Sequence, residues 1–287
     1  MGNTTSTQLH GRAGQQSGLG DCLVRASKRI KVGDLMSREV VTITSRDTLR
    51  DAVKAMAEDH LSCLPVVDAG VLKGILTQKH ALKEIAEGRE DFGSALVGQC
   101  MQVEVHTVDL ATSVFDAGRI MEGTNVKSLV VLSEARVVGV VTQSDATGAL
   151  TSLLEVTQVH GVMTGDVTTV DAAATVLEAM RIMTEAGISC AVATHGAKVI
   201  GILTEKDLLT RVMAADRDPR ETLVADVMSF PVVSIAPTDC IFNARRLMDR
   251  KHTHRVLVME GDRVCGIVTQ TDILRALKEL LLQEQMH

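Results

Sequence analysis

Four times in this 287-residue chain a glycine, two apolar residues and a threonine lead into a polar stretch. In three copies the third residue after the threonine is an acid: Thr142 with Asp145, Thr204 with Asp207, and Thr269 with Asp272. The remaining copy reads Thr77-Gln78-Lys79-His80, with histidine in the place of aspartate. Two chemistries fit this spacing. A threonine followed three residues later by an acid, at the start of a helix, is close to a capping box. The hydroxyl satisfies a free backbone N–H, and the acid complements the helix dipole. The same helix end, preceded by glycine, is also an anion site, because its unpaired N–H groups point outward. A carboxylate beside it can accept hydrogen bonds from two adjacent hydroxyls, as an acid reads ribose in dinucleotide folds. Phosphate on the helix end and ribose on the acid together would describe a nucleotide. The spacing by itself leaves cap and nucleotide site both open.

The elements that position these residues come from an internal repeat. The four glycines, Gly74, Gly139, Gly201 and Gly266, each follow a methionine by the same interval: Met36, Met101, Met163 and Met228. In that register Met56, Met121, Met183 and Met248 also align, as do Ala52, Ala117, Ala179 and Ala244. A hydroxyl recurs at Thr42, Thr107, Thr169 and Ser234. Repeats one and three are as far apart as repeats two and four, so the larger unit is a pair, duplicated once. Each copy predicts the order β-α-β-β-α. A short β-type stretch such as Val40–Ile43 or Val232–Ile235 opens it. A helix follows, in repeat four with Ile241, Ala244, Leu247 and Met248 on one face. Two strands come next, in repeat two over Leu129–Leu132 and Val137–Val141, and the last helix starts after the repeated threonine. About 60 residues of this kind make a marginal core alone, which explains why the copies come in pairs.

This pattern, with its terminal Gly-hydrophobic-hydrophobic-Thr-x-x-Asp, resembles the cystathionine-β-synthase (CBS) domain. The resemblance implies an α/β (α+β) fold of four repeats in two pseudo-twofold pairs. It divides the chain into a flexible tail at 1–32, a first pair at 33–150 (repeats 33–88 and 98–150), a linker at 151–159 and a second pair at 160–287 (repeats 160–215 and 225–280). It implies clefts between paired repeats that bind AMP, ADP, ATP or S-adenosyl compounds. The aspartates Asp145, Asp207 and Asp272 would hold ribose. Thr142, Thr204 and Thr269 would reach phosphate or ribose. Thr42, Thr107, Thr169 and Ser234 would lie beside the base. Repeat four is further similar to the γ subunits of AMP-activated protein kinase in His254-Arg255 and in Thr269, Thr271 and Asp272. By that likeness His254 and Arg255 face phosphate, to which an arginine offers a planar fork. The alternative is a basic pair solvated at a strand start. Repeat two has Lys127-Ser128 at this place, and repeats one and three have Ser62-Cys63 and Ser189-Cys190. Phosphate binding is therefore expected in repeats four and two, and an empty or altered cleft where His80 replaces aspartate.

Composition narrows the function classes. The chain is 45% hydrophobic and 23% charged, as in core-forming proteins. Its net charge of −6, with no Trp or Tyr, offers neither the footprint nor the stacking platforms of a nucleic-acid binder. The six cysteines show no metal spacing and read as small buried hydrophobes in a reducing compartment. No apolar run reaches a membrane span and no signal peptide opens the chain, so a cytoplasmic location is expected. The first residues, Met1-Gly2-Asn3-Thr4-Thr5-Ser6, fit two readings: a disordered tail, or an N-myristoylation signal backed by Arg25, Lys28, Arg29 and Lys31. No nucleophile with its base, and no metal set, is visible. The expectation is a non-catalytic regulator without cofactor or metal, homodimeric through its CBS pairs and acting on a partner protein. The alternative is an interaction scaffold without ligand.

Overall fold

The computed structural model describes residues 29–87, 93–151 and 157–284. The segment with Gly2, and most of the expected tail and linker, lie outside the described residues. Repeat one holds α1 (Val32–Leu35), α2 (Leu49–Glu58), β1 (Cys63–Asp68), β2 (Val71–Thr77) and α3 (Gln78–Ala86). Repeat two holds α4 (Val97–Cys100), β3 (Thr107–Asp109), α5 (Val114–Gly123), β4 (Ser128–Ser133), β5 (Arg136–Thr142) and α6 (Gln143–Leu150). Repeat three opens with a 3-10 turn (Val159–Gly161), then β6 (Thr169–Asp171), α7 (Val176–Glu185), β7 (Cys190–His195), β8 (Lys198–Thr204) and α8 (Glu205–Leu208), which continues as a π-helical turn (Leu209–Met213). Repeat four holds α9 (Val224–Val227), β9 (Ser234–Ile235), α10 (Ile241–Arg250), β10 (Arg255–Glu260), β11 (Arg263–Thr269) and α11 (Gln270–Glu284).

The β-α-β-β-α order holds, with one shortfall. In repeats two to four the first strand pairs parallel to the second, which pairs antiparallel to the third. In repeat one the expected strand at Val40–Ile43 shrinks to a single bridge between Ile43 and Val66. Ile43 alone of those four residues is buried, so the burial that fixes a strand's register elsewhere is nearly missing. The first long helix of each repeat turns an apolar face inward. On α2 this face is Leu49, Ala52, Val53 and Met56, the spacing of one helical stripe.

Sequence reading missed the short helical turn that opens every repeat. At four residues or fewer it is too short to show a period. Its product crosses to the paired repeat. Ser37 bridges Val140, Gln102 bridges Ile75, Thr164 bridges Ile267 and Ser229 bridges Ile202. The methionine before each bridging residue lies on the partner's glycine: Met36 on Gly139, Met101 on Gly74, Met163 on Gly266 and Met228 on Gly201. A Cβ on any of these glycines would fall under 3.0 Å from the methionine sulfur. The recurrent Met and Gly therefore meet between repeats and not within one.

Two kinds of contact close the four repeats into a ring. Within a pair, sheet packs on sheet: Cys63, Ile75 and Val130 for repeats one and two, and Val192, Leu257 and Ile267 for three and four. Between pairs, helices pack on helices. One core joins repeats one and three, through α3 on α7 and α2 on the π-helical turn. Another joins repeats two and four, through α11 on α5 and α6. The ion pairs Arg50–Asp216 and Lys278–Glu122 span these two seams.

The second seam is keyed by size and charge. Where α2 and α7 carry Val53 and Met180, α5 carries Gly118, whose added Cβ would meet Leu274 at 3.0 Å. At the same place α10 carries Arg245, only 6% exposed. Its Nε donates to Thr147 Oγ1 at 3.2 Å and its Nη2 to the Ser144 carbonyl at 3.1 Å. Thr147 stands where the other repeats have Leu82, Leu209 and Leu274.

Candidate functional site

All four Thr-x-x-Asp/His motifs cap the last helix of their repeat. Thr142 N–H and Oγ1 both donate to Asp145 Oδ2 at 2.8 Å. Thr204 donates likewise to Asp207 Oδ2 at 3.0 and 2.6 Å, and Thr269 to Asp272 Oδ2 at 2.9 and 2.7 Å. In return each threonine oxygen accepts from the N–H of its aspartate. His80 closes the same box, with Thr77 N–H donating to His80 Nδ1 at 3.3 Å.

The second carboxylate oxygen distinguishes the copies. Asp207 Oδ1 accepts from Ser229 Oγ at 2.8 Å, and Asp272 Oδ1 from Thr164 Oγ1 at 3.2 Å. Both donors belong to the segment that crosses from the paired repeat. These two candidate sites are thus composite: cap and acid come from one repeat, and the lead-in segment with its hydroxyl from the other. Arg211 and Arg275 lie at 3.5 and 3.4 Å from the same two oxygens. Asp207 and Asp272 are 5% and 4% exposed. Asp145 is half-buried, and its Oδ1 has no hydrogen bond among the described residues.

The recurrent hydroxyls lie on the sheet faces that meet inside a pair. In register, Thr107 is beside Val130, Thr169 beside Val192 and Ser234 beside Leu257, and all three neighbours belong to the sheet-on-sheet clusters. Side chains alternate along a strand, so Thr107, Thr169 and Ser234 share that face at its exposed edge.

At the centre of the ring the four last helices begin side by side. Gln78 N–H donates to the carbonyl of Ser62, Gln143 N–H to that of Lys127, Glu205 N–H to that of Ser189 and Gln270 N–H to that of His254. Links between repeats tie these ends together. Lys127 Nζ meets Glu205 Oε2 at 3.1 Å, Arg255 Nη1 donates to the Ser189 carbonyl at 2.7 Å, and Gln270 Nε2 donates to Ser144 Oγ at 3.0 Å. Thr271 Oγ1 donates to Gln143 Oε1 at 2.9 Å, so Thr271 serves the seam between repeats two and four. His254 is held below the usual histidine range, first by loss of water around the ring and then by the charges of Arg255, Lys206, Lys127 and Arg245. The side chains expected from sequence to face phosphate, Lys127, His254 and Arg255, do converge. Lys206 and Arg245 join them, and neither carried a motif signal.

The CBS-domain family model matches residues 32–87, 97–152, 156–214 and 224–279. The chain belongs to the CBS-domain family. Among relatives, protein MJ1232 of Methanocaldococcus jannaschii is 35% identical over 123 residues, 42% of this chain and 40% of that one. Protein MJ1404 of the same organism is 24% identical over 267 residues, 87% of this chain and 62% of that one. The chain thus spans less than two thirds of either relative. Among solved structures, protein MJ1225 of M. jannaschii, described as a candidate archaeal homologue of g-AMPK, superposes with a TM-score of 0.77 at 19% identity, covering 86% of this chain and 99% of that one. At that identity the likeness shows the four-repeat CBS fold. No helix among the described residues is long and apolar enough to cross a membrane.

Proposed function

We propose that this CBS-domain chain is a non-catalytic sensor that binds an adenine nucleotide in the clefts between paired repeats and relays the change in packing to a partner protein. The observation that carries this reading is the central cluster of Lys127, Lys206 and Arg255 around His254, at four converging helix N-termini. Cations and helix ends together favour a polyanion. Each acid is the third residue of its helix and each central residue the first. A ribose on the acid therefore leaves its phosphates within about one helical turn of the cations. Asp145 keeps the most acceptor capacity for ribose hydroxyls, since a carboxylate oxygen has two lone pairs and its Oδ1 meets no donor among the described residues. Asp207 and Asp272 already share Oδ1 between a crossing hydroxyl and an arginine and keep less of that capacity. Thr107, Thr142, Thr169, Thr204, Ser234 and Thr269 line or support the clefts in this proposal.

The candidate ligands are AMP, ADP, ATP and S-adenosyl compounds. The pair boundaries at 33–150 and 160–287 and a cytoplasmic location belong to the same proposal. The helical faces by which CBS pairs could stack across a dimer are already joined within this chain, so a homodimer would use another surface. The second reading, a ligand-free scaffold, is favoured by one observation: every motif, His80 included, closes as a helix cap.

Thermal unfolding of the chain with AMP, ADP, ATP, S-adenosylmethionine and GTP tests the proposal. A ligand at 100 times its Kd adds about 2.7 kcal/mol, or roughly 5–10 °C. Asp145→Asn keeps a capping oxygen and removes the charge, so the ligand shift should shrink while the unliganded Tm stays within a few degrees. No shift with any ligand would sink the sensor reading and leave the scaffold.

A further inference from the structure

We propose a second, peripheral site on repeat four that takes a small phosphorylated ligand without an aromatic base. A cavity of about 580 Å³ opens on the outer rim of this repeat, where α10 and the tip of the β10–β11 hairpin flank β9. That volume is within the range of small-molecule sites. Its wall includes Ser234, Asp239, Asn243, Arg246 and Arg250, with Leu247 and Met259 as the larger apolar members. β9 is the outermost strand of its sheet, so one of its edges has no strand neighbour. The lining comes from repeat four alone and contains none of the cleft aspartates or crossing hydroxyls. Ser234 is the single residue shared with the cleft face.

The other three repeats serve as internal controls. Their equivalent helices start with Thr48, Ser113 or Thr175, each accepting from the N–H of an acid three residues on: Asp51, Asp116 and Glu178. In repeat two that acid also draws in the cation of the next turn, Arg119, at 3.9 Å. Repeat four breaks the pattern at three places at once. Cys240 stands at the cap and makes no side-chain bond, Asn243 replaces the acid, and Arg250 stands where repeats one and three carry Glu58 and Glu185. Arg246 then has no acid on its own first turn, and its guanidinium lies 5.7 Å from the centre of the Phe242 ring. Neither Arg246 nor Arg250 makes an ion pair among the described residues.

The chemistry follows from this lining. Arg246 and Arg250 are one turn apart on one helix face, so two guanidinium forks can reach one phosphate. Asn243 and Asp239 supply donors and acceptors for ligand hydroxyls. Asp239 Oδ2 accepts from Ala236 N–H at 3.1 Å, which leaves Oδ1 for a hydroxyl. The wall has no aromatic face on which a base could stack. The shared chemistry is a phosphate next to hydroxyls or to a second phosphate.

Calorimetric titration of the full chain with ribose 5-phosphate, and separately with inorganic pyrophosphate, tests the site. Arg246→Ala and Arg250→Glu should each weaken binding at least tenfold, the loss of one charge-assisted contact. Asp145→Asn and Asp272→Asn should leave unchanged the binding that the rim variants weaken, which separates this site from the clefts. Arg250→Glu writes in the residue that repeats one and three carry, so the fold should tolerate it, and an unliganded Tm within a few degrees of the parent checks that. Two results would overturn the proposal: no binding of either probe at millimolar concentration, or binding that the cleft variants weaken and the rim variants do not.

Discussion

The crossed contact between Met36 and Gly139 makes a sharp prediction, because the two residues are in different repeats of a pair. Met36 is 7% exposed. Truncating such a methionine to alanine costs about 2–5 kcal/mol, from lost burial and the cavity left behind. Gly139→Ala fails for the opposite reason. The new methyl would meet Met36 Sδ, would lie 2.9 Å from Met36 Cγ and 3.1 Å from the Ser37 carbonyl, an overpacking that costs about 1–3 kcal/mol. The glycine's φ is outside the left-handed region, so the cost is contact and not backbone strain. In the double variant the thioether is gone, the methyl fills part of its space, and only the Ser37 carbonyl remains close. The double variant should therefore be more stable than the sum of the single losses implies, by about 1–3 kcal/mol. Urea unfolding at fixed temperature measures all four proteins on one scale. Met36 with Gly74 is the control: both are in repeat one, and Gly74 meets Met101 and the Gln102 carbonyl instead. That cycle should be additive within about 0.5 kcal/mol. Additivity for Met36 with Gly139, or coupling for Met36 with Gly74, would refute the crossed arrangement.

Other perturbations probe the seam and the centre. Arg245→Met removes the bonds to Thr147, Ser144 and Asp249 and a buried charge together, so the net loss should be about 2 kcal/mol, or roughly 4–8 °C in Tm. Adding Thr147→Leu recreates the apolar contact of Leu82 with the Met180 helix and should restore much of that loss; a double variant no better than Arg245→Met alone would argue against the keyed seam. His254 and His80 are both held below the usual value of 6.5, each first by loss of water. As pH falls through 6.5 the unfolded chain takes up protons that the folded chain refuses, so stability should drop and then level off below the folded values. The urea midpoint followed from about pH 8 to pH 5 should show this, and His254→Gln should flatten the profile; an unchanged profile in that variant would remove His254 from the account. At the clefts, Asp272→Asn should reduce a nucleotide-induced shift less than Asp145→Asn does, because Asp272 already shares Oδ1 with Thr164 and Arg275. The reverse ranking would show that burial of the acid matters more than its free lone pairs.

The repeat was legible because one register of methionine, alanine and glycine recurs four times, and its β-α-β-β-α order and caps because side-chain period and capping chemistry are local. Partners were not legible. Met36 and Gly74 keep a fixed interval, which sets the register of the repeat and says nothing of what either residue touches. The geometry resolves it into two reciprocal contacts across a pair, and a strict internal repeat produces the same interval in either case. The lead-in turns were invisible because four residues hold no period, and the first strand of repeat one was over-read because Val40-Val41-Thr42-Ile43 has β-type residues without the burial to pin them. Lys206 and Arg245 gave no signal at all. One follows an ordinary first-turn glutamate, and the other stands on a helix face that is apolar or empty in the other repeats. The opposition between helix cap and ribose acceptor was framed by the sequence as a choice, yet the two roles use different oxygens of one carboxylate. Oδ2 closes the box in all three aspartates, and in Asp207 and Asp272 Oδ1 accepts from the segment arriving from the paired repeat. A cap that fixes the rotamer of the acid thereby aims its second oxygen into the cleft. The same local bond that stabilises the helix decides where a hydroxyl can bind, and the crossing serine or threonine decides how much of that capacity is already taken.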